Sequence, residues 1–330
     1  MAPRSKSTPI LVVAVIAVTA ALPSSAQTVQ PPFAADYTLS NLGPVPGLPL
    51  PYGGLTFLQG DPDTLLIGGD ANYSDGEIYA ISVVRGAGNH VVGFSGTARF
   101  YCDGAYNDGG LDWGPGNVLF YSRYPTNELG QVVWGSAVTD RVVDLAAVGV
   151  SQTPGALLFV PPGHPGAGSL KLCSWPGGDW YDLAYSPDGT GTFNIDASDY
   201  QTTISGGPEG FIYIPTGSPG FPSPSMLVSE FSANTVGAYE VDSNGDPLPG
   251  TRRDFITGLN GAEGAVIDPL TGDFLFSTWG TGTDVVMVVE GFAPLQPSAE
   301  PIPTLNEPGI ALFVLLMLAT GILVLWRRLR

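Results

Sequence analysis

The sequence predicts an all-β protein: a β-propeller of about five, alternatively six, four-stranded blades, closed by an N-terminal strand and followed by a C-terminal transmembrane helix. Three observations predict it. Short β-branched and aromatic runs alternate with turn residues, and no stretch keeps a 3.6-residue apolar period. These runs recur in similar units, each led by a glycine. Two long apolar segments stand apart from this body, one at each end of the chain.

The N-terminal segment comes first. Arg4 and Lys6 precede an apolar run from Ile10 to Leu22, then Pro23 and the small residues Ser24, Ser25 and Ala26. A helix-breaking proline before small side chains suits export by the Sec machinery and cutting by signal peptidase. The cut is expected between Ala26 and Gln27. Thirteen apolar residues fall short of the ~20 needed to span a bilayer, which argues against an uncleaved anchor.

The body, 27–290, follows. Its clearest repeat unit is GAEGAVIDPLTGDFLFSTWGTGTDVVMVVEG (261–291), with copies at 52–85 and 108–135 and looser ones from Gly155 and Gly207. The leading glycines at 53, 109, 155, 207 and 261 lie 56, 46, 52 and 54 residues apart, room for four strands per unit. Fourth strands are expected at 91–100, 141–147, 192–196 and 253–257. The last unit lacks one. DYTLSNLG (36–43) compares well with RDFITGLNG (253–261), so an N-terminal strand is expected to complete the final blade and leave no open sheet edge. An irregular β-sandwich is the alternative.

After the body come a Pro-rich linker, 291–301, and a tail, 302–330. The tail holds an uncharged apolar stretch, 309–326, bracketed by Pro308 and by Arg327, Arg328 and Arg330. It is long enough to span a membrane, with the arginines on the cytoplasmic side. Without residues 1–26 and 308–330, 7 basic residues face 30 acidic ones, a net charge of −23. Nucleic acid is thereby excluded as a partner, since phosphate binding needs lysine and arginine. Such acidity attracts cations. Cys102 and Cys173 are the only cysteines, and export would permit one disulfide between them.

Few residues point to chemistry. His90 and His164 are the only histidines and have no Asp or Ser at motif spacing; no nucleophile elbow, zincin or Walker sequence occurs. No catalytic residue is assigned. Glu209 in GPEGF and Glu263 in GAEGA hold the same repeat position, so innermost strands would bring both to the central channel, where hard oxygen ligands favour Ca²⁺. The equivalent positions elsewhere read as Gly53, Gly109 and Pro154, which leaves that ligand set incomplete. Asp242, Asn244, Gly245 and Asp246 lack the glutamate and helices of an EF-hand and read as a turn. Trp113, Trp134, Trp175, Trp180 and Trp279 lie in or beside repeat strands, where they fill space between blades or, if exposed, stack on sugar rings.

Two resemblances add to this. EPIPTLNEPGIALFVLLMLATGILVLWRRLR (300–330) resembles the IPTL-CTERM sorting domain of Gram-negative bacteria through Ile302, Pro303, Thr304, Leu305, the apolar helix and the arginines Arg327, Arg328 and Arg330. Pro308 stands where that family commonly has an aromatic. The resemblance implies recognition by an exosortase-like membrane enzyme and delivery to the cell surface or a biofilm matrix. The stretch 226–280 is similar to NHL-like and lactonase-like propeller repeats, a scaffold that hosts many functions. Lactonase-like propellers place a metal-binding glutamate comparably to Glu209 and Glu263. The expectation is a surface- or matrix-sorted, non-enzymatic binding or structural propeller with polysaccharide as a candidate partner. The alternative is a secreted metal-dependent lactonase-like hydrolase using the channel carboxylates.

Overall fold

The structure is a computed structural model that describes residues 27–280 and 282–295. The expected signal segment, most of the expected linker, and the expected sorting tail with its membrane helix lie outside the described residues. Among the described residues no helix is long and apolar enough to cross a membrane.

Two short N-terminal strands, β1 (Thr28–Val29) and β2 (Thr38–Gly43), precede five antiparallel sheets. Blade I is β3 (Leu55–Leu58), β4 (Asp61–Gly69), β5 (Glu77–Arg85) and β6 (Val91–Asp103). Blade II is β7 (Asn107–Trp113), β8 (Leu119–Arg123), β9 (Glu128–Val132) and β10 (Arg141–Asp144). Blade III is β11 (Pro154–Phe159), β12 (Leu170–Ser174), β13 (Asp179–Pro187) and β14 (Phe193–Thr203). Blade IV is β15 (Pro208–Tyr213), β16 (Ser225–Glu230), β17 (Thr235–Glu240) and β18 (Arg253–Thr257). Blade V holds β19 (Ala262–Ile267), β20 (Phe274–Thr278) and β21 (Val286–Glu290). The blade count is five, and the innermost strands β3, β7, β11, β15 and β19 surround a common axis.

Ring closure comes from the N-terminus. β2 pairs with β21 (Leu39 opposite Val289) and supplies the fourth strand of blade V. β1 adds a fifth strand to blade IV, with Thr28 opposite Thr257. The eight residues between them thus staple two neighbouring blades. Phe33, fully buried, stacks on Phe221 at 4.8 Å and meets Phe255 edge-on at 5.1 Å. The linker begins inside this seal: Phe292 packs against Tyr37 and the Ala293 amide donates to Ser218 Oγ.

The core is divided into five clusters, one between each pair of adjacent blades. Successive strand residues face opposite sides, and here both sides are buried, so second strands read as continuous apolar runs. In β20, Phe274 and Phe276 face blade IV while Leu275 faces blade I. In β8, Leu119 and Tyr121 face blade I while Phe120 faces blade III.

The cysteines do not pair. Cys102 is buried between blades I and II, Cys173 between blades III and IV, and both are free thiols. Each instead fills apolar space, and burial pushes the Cys102 thiol up to about 12.

Candidate metal centre and aromatic collar on the propeller axis

Three inner strands carry an irregularity at the same height. In β15, Glu209 and Gly210 lie between the paired residues Pro208 and Phe211, opposite Ser229 alone. In β19, Glu263 and Gly264 lie between Ala262 and Ala265, opposite Ser277. In β7, three residues, Asp108, Gly109 and Gly110, lie opposite Ser122. A bulge leaves its extra residues unpaired and re-aims their side chains. Blade II has one residue more than the others, so the place that repeat alignment gave to Gly109 is filled by Asp108.

Serine fixes two of these bulges to the next blade. Ser122 Oγ accepts from the Gly110 amide at 2.9 Å and donates to Gly155 O at 2.8 Å. Ser277 Oγ accepts from the Gly264 amide at 2.9 Å and donates to Gly53 O at 2.6 Å. Glycine makes the approach of the strands possible. A Cβ on Gly264 would stand 2.7 Å from the Gly54 Cα, and one on Gly155 would stand 2.3 Å from Pro208 O and 2.7 Å from Glu209 Oε2.

The outcome is a trio of carboxylates at the axis. Asp108, Glu209 and Glu263 are 2, 4 and 1 % exposed, and each offers an oxygen within 4.8 Å of the other two. Asp108 Oδ2, Glu209 Oε2 and both Glu263 oxygens are buried without a hydrogen-bond partner. Burial pushes the Asp108 carboxyl up to about 8, and burial followed by repulsion from Asp108 holds Glu209 and Glu263 well above the usual range. A bare trio of this kind is costly, because uncompensated buried charge is expensive. The residues fit a hard divalent cation: carboxylate oxygens suit Ca²⁺ and Mg²⁺ rather than softer metals.

Above the trio is a cavity of ≈190 Å³ lined also by Asn72, Tyr124, Trp175, Phe231 and Trp279. Each comes from the turn joining the second and third strands of a different blade. Tyr124 and Trp175, Trp175 and Phe231, and Phe231 and Trp279 meet edge-to-face, with centroids 5.7, 6.3 and 6.1 Å apart. Trp175 Nε1–H and Asn72 Oδ1 are buried and unpartnered at this collar.

Glu209 and Glu263, expected at the channel, are brought together there. Asp108 and the collar were not foreseen. A sequence signal existed for both: Ser122-x-Tyr124, Cys173-x-Trp175, Ser229-x-Phe231 and Ser277-x-Trp279 recur in four of the five blades. Aligned on the serines, Asp108 and Glu263 each stand 14 residues upstream.

The remaining candidates lie elsewhere. His90 Nδ1 is 2.6 Å from Asp273 Oδ2 at the seam of blades I and V, and His164 packs against the Tyr213 ring at 5.5 Å. Asp242 Oδ1 accepts the amides of Asn244 and Asp246 and closes a turn. Asp246 then meets buried Lys171 at 2.7 Å and Trp180 Nε1 at 3.1 Å. Trp180 is fully buried between blades III and IV, whereas Trp134 is 48 % exposed and tilts against Trp113 at 5.3 Å.

No family model and no curated protein matches this chain. Among solved structures it is similar to a glucose dehydrogenase: 13 % identity over 76 % of this chain and 98 % of that one, TM-score 0.42. It is similar to a protein provisionally designated a gluconolactonase, at 12 % identity over 82 % and 100 %, TM-score 0.41. A 6-phosphogluconolactonase, also provisionally designated, from Bacteroides uniformis shares 14 % over 74 % and 69 %, TM-score 0.39. These likenesses concern architecture; the chemistry of the site rests on its own residues.

Proposed function

We propose that this protein is a divalent-cation-dependent hydrolase of the lactonase-like propeller kind, with Asp108, Glu209 and Glu263 holding the ion. One observation carries the reading: three buried carboxylates, without a cationic partner among the described residues, converge on one cavity. When bound, a hard cation supplies Lewis acidity toward a carbonyl oxygen and a bound water of lowered pKa. The chain's own residues do the rest. The carboxylates bind the ion in their deprotonated form. Trp175 Nε1–H is a free donor for a substrate oxygen, Asn72 Oδ1 a free acceptor, and the collar rings form the wall of the cavity. The test is hydrolysis of a panel of small lactones with and without chelator. Turnover that requires Ca²⁺ or another divalent ion, and is lost in Glu263→Gln, supports the proposal. Ion binding without turnover on any lactone would remove the hydrolase part.

A second reading, a surface-sorted binding module, is favoured by the exposed Trp134 face braced by Trp113, which offers a platform for sugar rings. Retention on matrix polysaccharide that Trp134→Ala abolishes would support it. Under either reading we propose export through the signal segment, cutting between Ala26 and Gln27, and sorting through Ile302-Pro303-Thr304-Leu305 and the arginine-flanked tail. Deleting 302–330 is expected to abolish secretion-coupled processing; unchanged processing would contradict it.

A further inference from the structure

We propose that the aromatic collar is a cage for a small alkylated ammonium ion, seated on the axis directly above the carboxylate floor. This rests on the reading of Asp108, Glu209 and Glu263 as a cation-binding floor, and does not depend on catalysis.

The collar has the dimensions for it. Tyr124, Trp175, Phe231 and Trp279 occupy four of five stations around the ring, at spacings of 5.7, 6.3 and 6.1 Å and interplanar angles of 81°, 75° and 72°. Five such stations on a regular pentagon set each centroid about 5 Å from the axis, inside the ~6 Å reach of a cation–π contact. A cation on the axis therefore lies within that distance of all four ring centroids. The cavity, ≈190 Å³, holds about six waters' worth of volume at ~30 Å³ each, the size of a trimethylated ammonium rather than a bare metal ion. Aromatic rings offer a metal no lone pairs, so a metal belongs to the floor and a large, weakly hydrated organic cation to the collar.

Charge and hydrogen bonding narrow the ligand further. Three carboxylates around a divalent ion retain one negative charge, which a monovalent cation above them neutralises. Trp175 Nε1–H is an unspent donor and Asn72, at the fifth station, an unspent acceptor. The ligand is thus an alkylated ammonium that also carries a hydroxyl or carbonyl oxygen.

Calorimetric titration of the full chain with choline in saturating Ca²⁺ tests this, with the uncharged carbon isostere of choline as control. The expected result is saturable one-to-one binding of choline, at least tenfold weaker binding of the isostere, and at least tenfold loss with choline in Trp279→Leu and in Phe231→Leu. Ca²⁺ binding by both variants is expected to match the wild type, which certifies that they fold. Isostere binding equal to choline would overturn the cage, since the collar would then read shape alone. Ca²⁺ binding without choline binding would overturn the cage and leave the metal floor standing. Absence of both would remove the floor as well.

Discussion

Glu263 is 1 % exposed, has neither oxygen partnered, and shares its site with Asp108 and Glu209. All three carboxyls bind protons more tightly folded than unfolded, so their effect on stability has a definite sign. An acid whose folded pKa is raised makes the protein less stable as pH rises from its unfolded value, ~4, toward the folded one, about 8 for Asp108. The chelated protein is therefore expected to lose Tm between pH 5 and 8, and added Ca²⁺ to raise Tm more at pH 8 than at pH 5. His90, raised by its hydrogen bond to Asp273, acts in the same direction: its pair stabilises below the unfolded value, and that contribution fades as pH rises through the folded one. Glu263→Gln separates the two, because it relieves repulsion at the axis and leaves the seam intact. In calorimetric scans it should raise the chelated Tm at pH 8 and remove the response to Ca²⁺; a fall in chelated Tm there would contradict this. Lys171 supplies the opposite case. It is fully buried, paired with Asp182 and Asp246, and its replacement by methionine strands Asp246 at 3 % exposure. A loss of about 3–5 kcal/mol in denaturant unfolding is expected.

At the scale of elements, the repeat spacing and the likeness of DYTLSNLG to a fourth strand made β2 legible, because pairing in a closed ring demands a partner for β21. β1 was not legible. Two residues carry no periodicity, and their place beside β18 depends on Phe33 packing some distance along the chain. Removing that aromatic anchor tests the staple: Phe33→Ala is expected to cost about 3–5 kcal/mol, read in denaturant unfolding, and to loosen amide exchange in β1 and β2 first. The floor was half legible for a physical reason. Glu209 and Glu263 sit in bulges of equal length, but the bulge of β7 has one residue more, and an alignment by leading glycines slides past it. Gly155 is the element-scale counterpart, since alanine there would press on Pro208 O and Glu209 Oε2. Gly155→Ala is expected to weaken Ca²⁺ at least tenfold, measured by titration, while the far-UV spectrum keeps its β character.

For the molecule as a whole, one arrangement accounts for sequence, packing and site together. Five sheets meet at an axis too narrow for side chains at the level of Gly54, Gly110, Gly210 and Gly264, so the strands touch by backbone and the bulges just beside them present acids to a shared point. Fivefold repetition then places one turn from each blade above that point, and four of the five carry an aromatic ring. The recurring apolar runs that mark the blades say nothing about this convergence, which arises only once the ring closes. The chain's net charge, far below zero, attracts cations to the molecule as a whole. The most direct test is isothermal titration of the chelated full chain with Ca²⁺ at neutral pH. The account predicts one ion per chain at submillimolar affinity, with proton release, and no binding in Glu263→Gln. No binding by the wild type, or equal binding by the variant, would contradict it.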